Sequence, residues 1–150
     1  MYPSLYRRIL VAIEHSAADR AILDHVEQLA TLTGAELVLV HVADGWAARN
    51  FKQLKLRESE EIQDDRAYLD GLCAELQAKG LKVEARLLMG DPSKELVKAV
   101  DTEGADLLAM ATHGHRFLED LVKGTTVDRV RHLVTVPVVL VRHQEQKTQP

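Results

Sequence analysis

Short apolar runs alternate along this chain with segments whose apolar residues recur every three or four positions. Five apolar runs predict strands, over residues 8–13, 36–42, 82–88, 107–110 and 136–141. Helical spacing between them predicts four helices, over residues 21–30, 62–76, 96–100 and 127–133. The second run is nearly all apolar, which is typical of a strand buried on both faces of a parallel sheet. The alternation therefore predicts an α/β fold, a Rossmann-like three-layer sandwich in which four helices flank a five-stranded parallel sheet.

Glycine and proline mark the ends of several of these elements. Gly34, Gly80 and Gly104 follow the first three predicted helices, as glycine often does at a helix C-terminus. Residues 82–88 alternate with period two, which predicts a half-exposed or edge strand. Pro137 predicts that the last strand, residues 136–141, is also an edge strand of the sheet, because proline cannot donate a hydrogen bond to a neighbouring strand.

The last predicted strand also suggests how the chain associates. It begins at Val136, ends at Val141 and is apolar nearly throughout. An apolar edge strand promotes aggregation unless another chain covers it. We therefore expect a homodimer that buries this fifth strand.

The second predicted helix has one apolar face and one charged face. Its apolar positions are Ile62, Leu69, Leu72, Cys73 and Leu76, so Cys73 is expected in the core. Its charged residues predict a solvated face: Glu58, Glu60, Glu61, Asp64, Asp65 and Arg66. Residues 43–57, which precede it, show no regular period and predict a less regular segment.

Length and composition narrow the class of protein. A chain of 150 residues suits one domain with a substantial core, with polar residues 143–150 as a frayed tail. The net charge of −4 and the absence of a basic run argue against a nucleic-acid surface. No stretch approaches the roughly 18 apolar residues of a membrane span, and the N-terminus lacks the apolar core of a signal peptide. With one cysteine, which fits a reducing compartment, we expect a cytoplasmic protein with no membrane or nucleic-acid partner.

The candidate chemistry lies around the fourth apolar run. Ala111 and Gly114 bound a short loop directly after it, and Gly124, Thr125 and Thr126 open the last predicted helix. Glycines allow a backbone to approach an anion closely, and free N–H groups at a helix N-terminus point at it. This pattern predicts a phosphate-bearing ligand. The alternative is a plain loop in which Thr125 is a helix N-cap.

These residues resemble the nucleotide-binding motif of the universal stress protein family, Gly-x2-Gly-x9-Gly-Ser/Thr after the fourth strand. The motif positions are Ala111, Gly114, Gly124 and Thr125, and family-like stretches extend over residues 8–142. The resemblance implies strand order 3-2-1-4-5, dimerisation through the fifth strand, and adenine-nucleotide binding in a cytoplasmic stress-response regulator. ATP, with or without Mg²⁺, is the cofactor that it implies.

Strand order 3-2-1-4-5 would place the ligand between the first and fourth strands, where the order of an open α/β sheet reverses. The resemblance then implies these nucleotide-binding residues: Ala12, Ile13, Glu14, Val40, Val42, Ala111, His113, Gly114, Arg116, Gly124, Thr125 and Thr126. Glu14 would reach the ribose hydroxyls or the base, or else be a surface carboxylate. Arg116 and Lys123 would neutralise phosphate charge or be solvated. Asp91 is expected to be a turn or helix-cap residue.

Two positions depart from the family pattern. Ala111 stands where the motif has its first glycine, and Glu14 stands where family members usually have aspartate. The methyl group of Ala111 is harmless at a negative φ and obstructive at a positive φ or against the ribose. Glu14 keeps the carboxylate but moves it by one methylene. Some members of the family lack the motif and do not bind ATP, so a dimeric interaction module without a nucleotide is the alternative function.

Two further alternatives involve histidine. The first is a transition-metal site, formed by the four histidines that follow or lie in predicted strands: His15, His41, His113 and His115. The family pattern already accounts for His41 and His113, and His41 could point into the core. The second alternative is an enzyme that uses His113 as acid or base together with Glu14. The chain has no Gly-x4-Gly-Lys-Ser/Thr motif and no acidic pair placed to hold magnesium. We therefore expect a nucleotide-binding regulator, at most a very slow ATPase, with no catalytic residues.

Overall fold

Strands and helices alternate through the parts of the chain that the computed structural model describes, residues 5–44, 51–113 and 126–144. The elements are β1 (Arg8–Ala12), α1 (Ala18–Thr33), β2 (Glu36–Asp44), α2 (Phe51–Ala78), β3 (Val83–Gly90), α3 (Pro92–Thr102), β4 (Leu107–His113), α4 (Thr126–Leu133) and β5 (Val138–His143). All five predicted strands and all four predicted helices are present, with ends that differ by a few residues except at the start of α2. Gly34 follows α1 in a left-handed conformation, φ 77°, as its position at the helix end predicts.

The five strands form one parallel sheet in the order β3-β2-β1-β4-β5. This confirms the predicted fold and strand order, and it puts β3 and β5 at the two edges. Because the order reverses between β1 and β4, the helices that follow these strands lie on opposite faces. A crevice therefore opens at the carboxyl ends of β1 and β4.

Two apolar cores cover the two faces of the sheet. Residues of α1 and α2, such as Ile22 and Leu69, belong to the first core cluster, and residues of α3 and α4, such as Leu96 and Val130, belong to the second. The central strand β1 contributes alternately to both, since successive side chains of a strand point to opposite faces. Burial on both faces is why the predicted strands are continuous apolar runs.

The helix α2 differs from its prediction at its start. It begins at Phe51, so residues 51–57, predicted to be irregular, are helical. Farther along, Leu69, Leu72 and Leu76 are buried as predicted. Even this helix of 28 residues is too polar to span a membrane, and the same holds for the other helices within the described ranges.

Two further expectations need correction. Cys73 is only half-buried and packs against the first core cluster from its margin. Its thiol donates a hydrogen bond to the Val83 carbonyl oxygen at 3.3 Å, and burial raises the pKa of this thiol. At the other end of the chain, β5 extends to His143, the residue at which the frayed tail was predicted to begin. Residues 145–150 of that tail lie outside the described residues.

Candidate functional site

A cavity of about 250 Å³ opens at the carboxyl edge of the sheet, where β1 and β4 separate. Strands β1, β2 and β4 and helices α3 and α4 supply its walls: Ala12, Ile13, Glu14, Val40, His41, Val42, Pro92, Leu96, Met110, Ala111, Thr126 and Val127. Seven of the residues predicted from the sequence line it: Ala12, Ile13, Glu14, Val40, Val42, Ala111 and Thr126. The fold therefore brings residues that are distant in sequence to one concave site.

The floor of the cavity is apolar. Ala12, Val40, Leu96 and Met110 are buried and belong to the second core cluster, between the sheet and α3 and α4. A mostly apolar cavity with a few polar groups at its rim is the usual form of a small-molecule site. The motif does not predict Leu96 or Met110. Met110 could have been predicted from its position two residues after Leu108 in an apolar strand, because residues two apart in a strand point to the same face of the sheet.

Ala111 is compatible with an open cavity. Among the described residues other than glycine, only His15 has a positive φ, and Ala111 lies in β4 paired with Val141. Its side chain belongs to the first core cluster, whereas that of Met110 belongs to the second. The methyl group that replaces the glycine hydrogen therefore points to the face of the sheet opposite the cavity floor.

Glu14 and His113 meet at the rim of the cavity. His113 Nε2 lies 2.9 Å from one carboxylate oxygen of Glu14 and 3.2 Å from the other. Ser16 also donates a hydrogen bond to Glu14, at 3.0 Å. The residues after β1 therefore face the end of β4. About a third of each side chain of the Glu14–His113 pair is exposed, so an incoming ligand can reach both.

Asp19, which the motif does not predict, holds the loop between β1 and α1. Its side chain is buried, at 1% exposure, and accepts hydrogen bonds from the backbone N–H groups of Glu14, His15 and Ser16 at 2.8, 2.8 and 3.0 Å. The Tyr68 hydroxyl donates a fourth at 2.6 Å. Four donors satisfy the buried carboxylate. Asp19 therefore fixes the backbone that carries Glu14. Its place in the sequence, as an acidic residue in the first turn of a predicted helix, was the one feature from which this role could have been predicted.

Tyr68 links this loop to α2. Burial and the hydrogen bond to Asp19 raise the pKa of the Tyr68 hydroxyl, so it remains a neutral donor over the physiological range. The ring of His15 stacks on that of Tyr68, with centroids 3.9 Å apart. These contacts hold His15 at its φ of 64°, a conformation that residues other than glycine seldom adopt.

Asp65 of α2 lies beside two of the histidines. His15 Nδ1 is 2.7 Å from one of its carboxylate oxygens, and His41 Nε2 is 3.4 Å from the other. The Asp65 side chain is only 17% exposed, so its predicted place on a solvated face is wrong. The imidazoles hold this carboxylate against the protein.

The three described histidines of the predicted group, His15, His41 and His113, do not surround one common point. His15 and His41 share Asp65, while His113 contacts Glu14 instead. Within the described ranges, no group of three or more histidine, cysteine, aspartate or glutamate side chains is arranged to hold a metal ion. His115, the fourth member of the predicted group, lies outside those ranges.

The phosphate side of the predicted site is described only at its end. Thr126 is the first residue of α4 and lines the cavity, half-buried. The other predicted residues of this side lie outside the described residues: Gly114, Arg116, Lys123, Gly124 and Thr125. Their assignment to phosphate therefore stays a prediction.

Asp91, in contrast, is a helix cap as predicted. Its carboxylate accepts hydrogen bonds from the Ser93 hydroxyl at 2.6 Å and from the Lys94 N–H at 3.0 Å, at the start of α3. Both bonds lower the pKa of Asp91, because they favour its charged form.

Comparison with known proteins agrees with this architecture. The model of the universal stress protein family matches residues 5–142. Universal stress protein MJ0577 of Methanocaldococcus jannaschii is 27% identical over 160 residues, which cover 93% of this chain and 97% of that protein. A solved structure of MJ0577 superposes with a TM-score of 0.78 at 25% identity, covering 95% of this chain and 99% of that chain.

Two more distant structures share the fold and contain nucleotides. The universal stress protein from Archaeoglobus fulgidus in complex with dAMP has a TM-score of 0.68 at 21% identity, covering 91% of this chain and 98% of that chain. A universal stress protein in complex with cAMP has a TM-score of 0.69 at 21% identity, covering 91% and 97%. Since the family model spans nearly the whole sequence, this chain belongs to the universal stress protein family.

Proposed function

We propose that this chain binds an adenine nucleotide, ATP with or without Mg²⁺, in the cavity between β1 and β4. The observation that carries the proposal is the composition of the cavity, whose lining includes seven residues that the motif and strand order predict independently. The complexes of related proteins with dAMP and cAMP support the same ligand class. The chain would act as a single domain.

The described residues suit the nucleoside part of such a ligand. The cavity of about 250 Å³ is close to the lower end of ligand pockets, roughly 300 Å³. Its apolar floor of Val40, Leu96 and Met110 would pack against the base, and the Glu14 carboxylate would accept hydrogen bonds from ribose hydroxyls. Thr126 would meet a phosphate at the N-terminus of α4, where the helix dipole favours negative charge. Gly114, Gly124 and Thr125 are assigned to the remaining phosphates by the motif alone.

The same lining argues for a binding protein with little or no hydrolysis. Glu14 is the only carboxylate among the residues that line the described cavity, and His113 already contacts it. ATP hydrolysis needs a positioned water, a base and usually a metal held by dedicated carboxylates. We therefore assign the chain a regulatory role, in which nucleotide occupancy is read by a partner in the cytoplasmic stress response.

The edge strand β5 supports a homodimer through residues 136–141. Leu140 is 42% exposed on this edge, and Val138, Val139 and Val141 are half-buried. A second copy would cover these side chains and the outer backbone edge of the strand. The same apolar edge favours the second candidate function, a dimeric interaction module that binds no nucleotide.

Calorimetric titration of Mg-ATP into protein stripped of bound ligand tests the proposal. We expect saturable binding at about one site per chain, and loss of binding in Gly124→Asp, because the added carboxylate repels phosphate. Gly71→Asp is the matched control, since Gly71 is exposed on α2 and a Cβ there meets no atom within 4 Å. Absence of heat at millimolar nucleotide, with an unchanged melting temperature, would contradict nucleotide binding and favour the interaction module.

A further inference from the structure

Among the described residues, the buried carboxylate of Asp19 has one hydrogen-bond donor from outside its own loop and helix. Asp19 Oδ1 accepts the backbone N–H of Glu14 at 2.8 Å. Oδ2 accepts the backbone N–H groups of His15 and Ser16 at 2.8 and 3.0 Å. The fourth donor is the Tyr68 hydroxyl, 2.6 Å from Oδ2, and Tyr68 belongs to α2. This one bond therefore ties the loop between β1 and α1 to a different helix.

The loop that Asp19 holds controls Glu14 in two ways. The bond from the Glu14 N–H to Asp19 fixes the backbone from which the Glu14 side chain leaves. The Ser16 N–H is bonded to the same carboxylate, and the Ser16 hydroxyl donates to Glu14 Oε2 at 3.0 Å. Both the backbone and the side chain of Glu14, which lines the cavity, therefore depend on where Asp19 lies.

Tyr68 holds Asp19 from outside the cavity. It is not among the described residues that line the cavity. Its ring packs against the first core cluster and stacks on the ring of His15, with centroids 3.9 Å apart. Because these contacts involve the ring and not its hydroxyl, the hydroxyl can be removed while the ring keeps its packing.

Loss of the Tyr68 hydroxyl would leave Asp19 anchored only to its own loop. At 1% exposure, Asp19 has no bulk water to replace a missing donor, and a buried carboxylate needs its hydrogen bonds satisfied. The three remaining donors move together with the loop, so they do not fix its position relative to α2. A ligand that bonds to Glu14 would then have to order the loop as it binds, which lowers its affinity.

We propose that Tyr68 is a positioning residue for the nucleotide site: through Asp19 it holds the Glu14 carboxylate where the ribose hydroxyls bind, and so determines the preference for a nucleotide that carries them. This inference rests on the proposed function and adds a determinant of sugar specificity to the same site. Because linked equilibria are reciprocal, a bond between Glu14 and the ribose must in turn stabilise the bond between Tyr68 and Asp19. Recognition of the sugar is thereby coupled to α2.

Calorimetric titration with two nucleotides tests this role. The ligands are Mg-ATP and Mg-dideoxy-ATP, which lacks both ribose hydroxyls, and the variant is Tyr68→Phe, which keeps the ring and loses only the hydroxyl. We expect Tyr68→Phe to bind Mg-ATP roughly three- to tenfold more weakly than the wild type and to bind Mg-dideoxy-ATP as the wild type does. Equal weakening with both nucleotides, or no weakening with either, would overturn the proposal.

Tyr6→Phe is the matched control. Tyr6 precedes β1 at the amino end of the sheet, and its ring packs against the same core cluster as the ring of Tyr68. Removal of its hydroxyl should leave the affinities for both nucleotides unchanged. A loss of Mg-ATP affinity as large as that in Tyr68→Phe would assign the effect to the core in general and contradict a specific role for Tyr68.

Hydrogen exchange without ligand separates this proposal from the nucleotide proposal. The amides of Glu14, His15 and Ser16 should exchange roughly tenfold faster in Tyr68→Phe, while those of Leu37 and Leu39 in β2 change less. Equal acceleration at both places, or none in the loop, would contradict the positioning role whether or not a nucleotide binds. Faster exchange in the loop of a protein that binds no Mg-ATP would instead contradict the proposed function and, with it, the role in sugar specificity.

The wild type provides a test if Tyr68→Phe does not fold. With ¹³C-labelled tyrosine rings, saturating Mg-ATP should shift the NMR signal of Tyr68, because the bond from Glu14 to the ribose tightens the contact with Asp19. Saturating Mg-dideoxy-ATP should shift it less, and the Tyr6 signal should stay in place with both. A Tyr68 signal that responds equally to the two nucleotides, or to neither, would exclude the coupling.

Discussion

The two ends of the sheet each carry a cavity of similar volume, about 250 Å³ at the carboxyl end and about 260 Å³ at the amino end. At the amino end, the glutamates that line the cavity, Glu36 and Glu84, are both paired with Arg8 at 3.0 and 2.9 Å. Arg8 also pairs with Glu103 at 2.8 Å, and this hydrogen bond raises the pKa of its guanidinium. Opposite charges there satisfy one another and hold three strands and a loop together.

The charged groups at the carboxyl end are arranged differently. The Asp19 carboxylate accepts hydrogen bonds from backbone N–H groups and a tyrosine hydroxyl. The Asp65 carboxylate lies beside two imidazole rings. Asp19 and Asp65 belong to the helices α1 and α2, which cover the face of the sheet opposite the apolar floor, and Glu14 at the rim is partly exposed. The comparison teaches that cavity volume does not distinguish the end where we propose nucleotide binding. That end differs in its apolar floor, its polar rim and its carboxylates, which bond to backbone N–H groups and imidazoles rather than to an arginine.

The largest expected effect comes from Asp19→Ala. Removing this carboxylate leaves three backbone N–H groups and the Tyr68 hydroxyl without their acceptor, so the free energy of unfolding should fall by about 3 kcal/mol. Urea denaturation measures the change. Asp24→Ala is the control, because Asp24 lies on the same helix with its side chain 60% exposed, and its effect should stay within about 0.5 kcal/mol. Equal losses in the two variants would show that Asp19 has no special part in holding the loop.

A bulky side chain in either cavity sharpens the comparison directly. Val42 lines the carboxyl cavity and Leu81 lines the amino one, and both are half-buried. Val42→Trp should fill the nucleotide cavity and weaken Mg-ATP binding at least tenfold, about 1.4 kcal/mol. Leu81→Trp should leave the affinity unchanged, as calorimetry would measure. If Leu81→Trp weakened binding more than Val42→Trp, the site would lie at the other end of the sheet.

The smallest effect is expected from Arg8→Met at the amino end. The substitution should lower the free energy of unfolding by about 1 kcal/mol, because Glu103, 18% exposed, keeps only Arg86 of its two arginine partners. Nucleotide affinity should not change. Hydrogen bonding to Arg8 lowers the pKa of Glu84, so this carboxylate stabilises the fold above its ordinary pKa. That stabilisation is lost as pH falls through the lowered value. The variant should therefore lose less stability in acid than the wild type, and an equally steep acid profile would contradict this account of Arg8.

The elements that the sequence predicts correctly are those determined by local patterns. Apolar runs and terminal glycines act within a few residues, so the strands and helices could be placed from them. The start of α2 at Phe51 could not, since residues 51–57 carry no regular apolar period and a helix there depends on the rest of α2. Pro137 correctly indicated an edge strand, although β5 itself begins one residue later.

Some residues of the candidate site could likewise be predicted from the sequence, and others could not. Glu14, Ala111 and Thr126 follow from the motif and the strand order, because both are visible in the chain. Asp65 was assigned to solvent because charged residues usually lie there, and its partners, His15 and His41, are more than twenty residues away in the sequence. Only the packing of α2 against the sheet brings these groups together.

Methionine methyl NMR tests nucleotide binding at this cavity most directly. Met110 lies in the cavity floor, whereas Met89, 40% exposed on the edge strand β3, is not among the lining residues. With ¹³C-labelled methionine methyl groups, addition of Mg-ATP should shift the Met110 signal in a saturable way and leave the Met89 signal in place. A Met110 signal that stays unchanged at saturating nucleotide, or a shift confined to Met89, would contradict binding between β1 and β4.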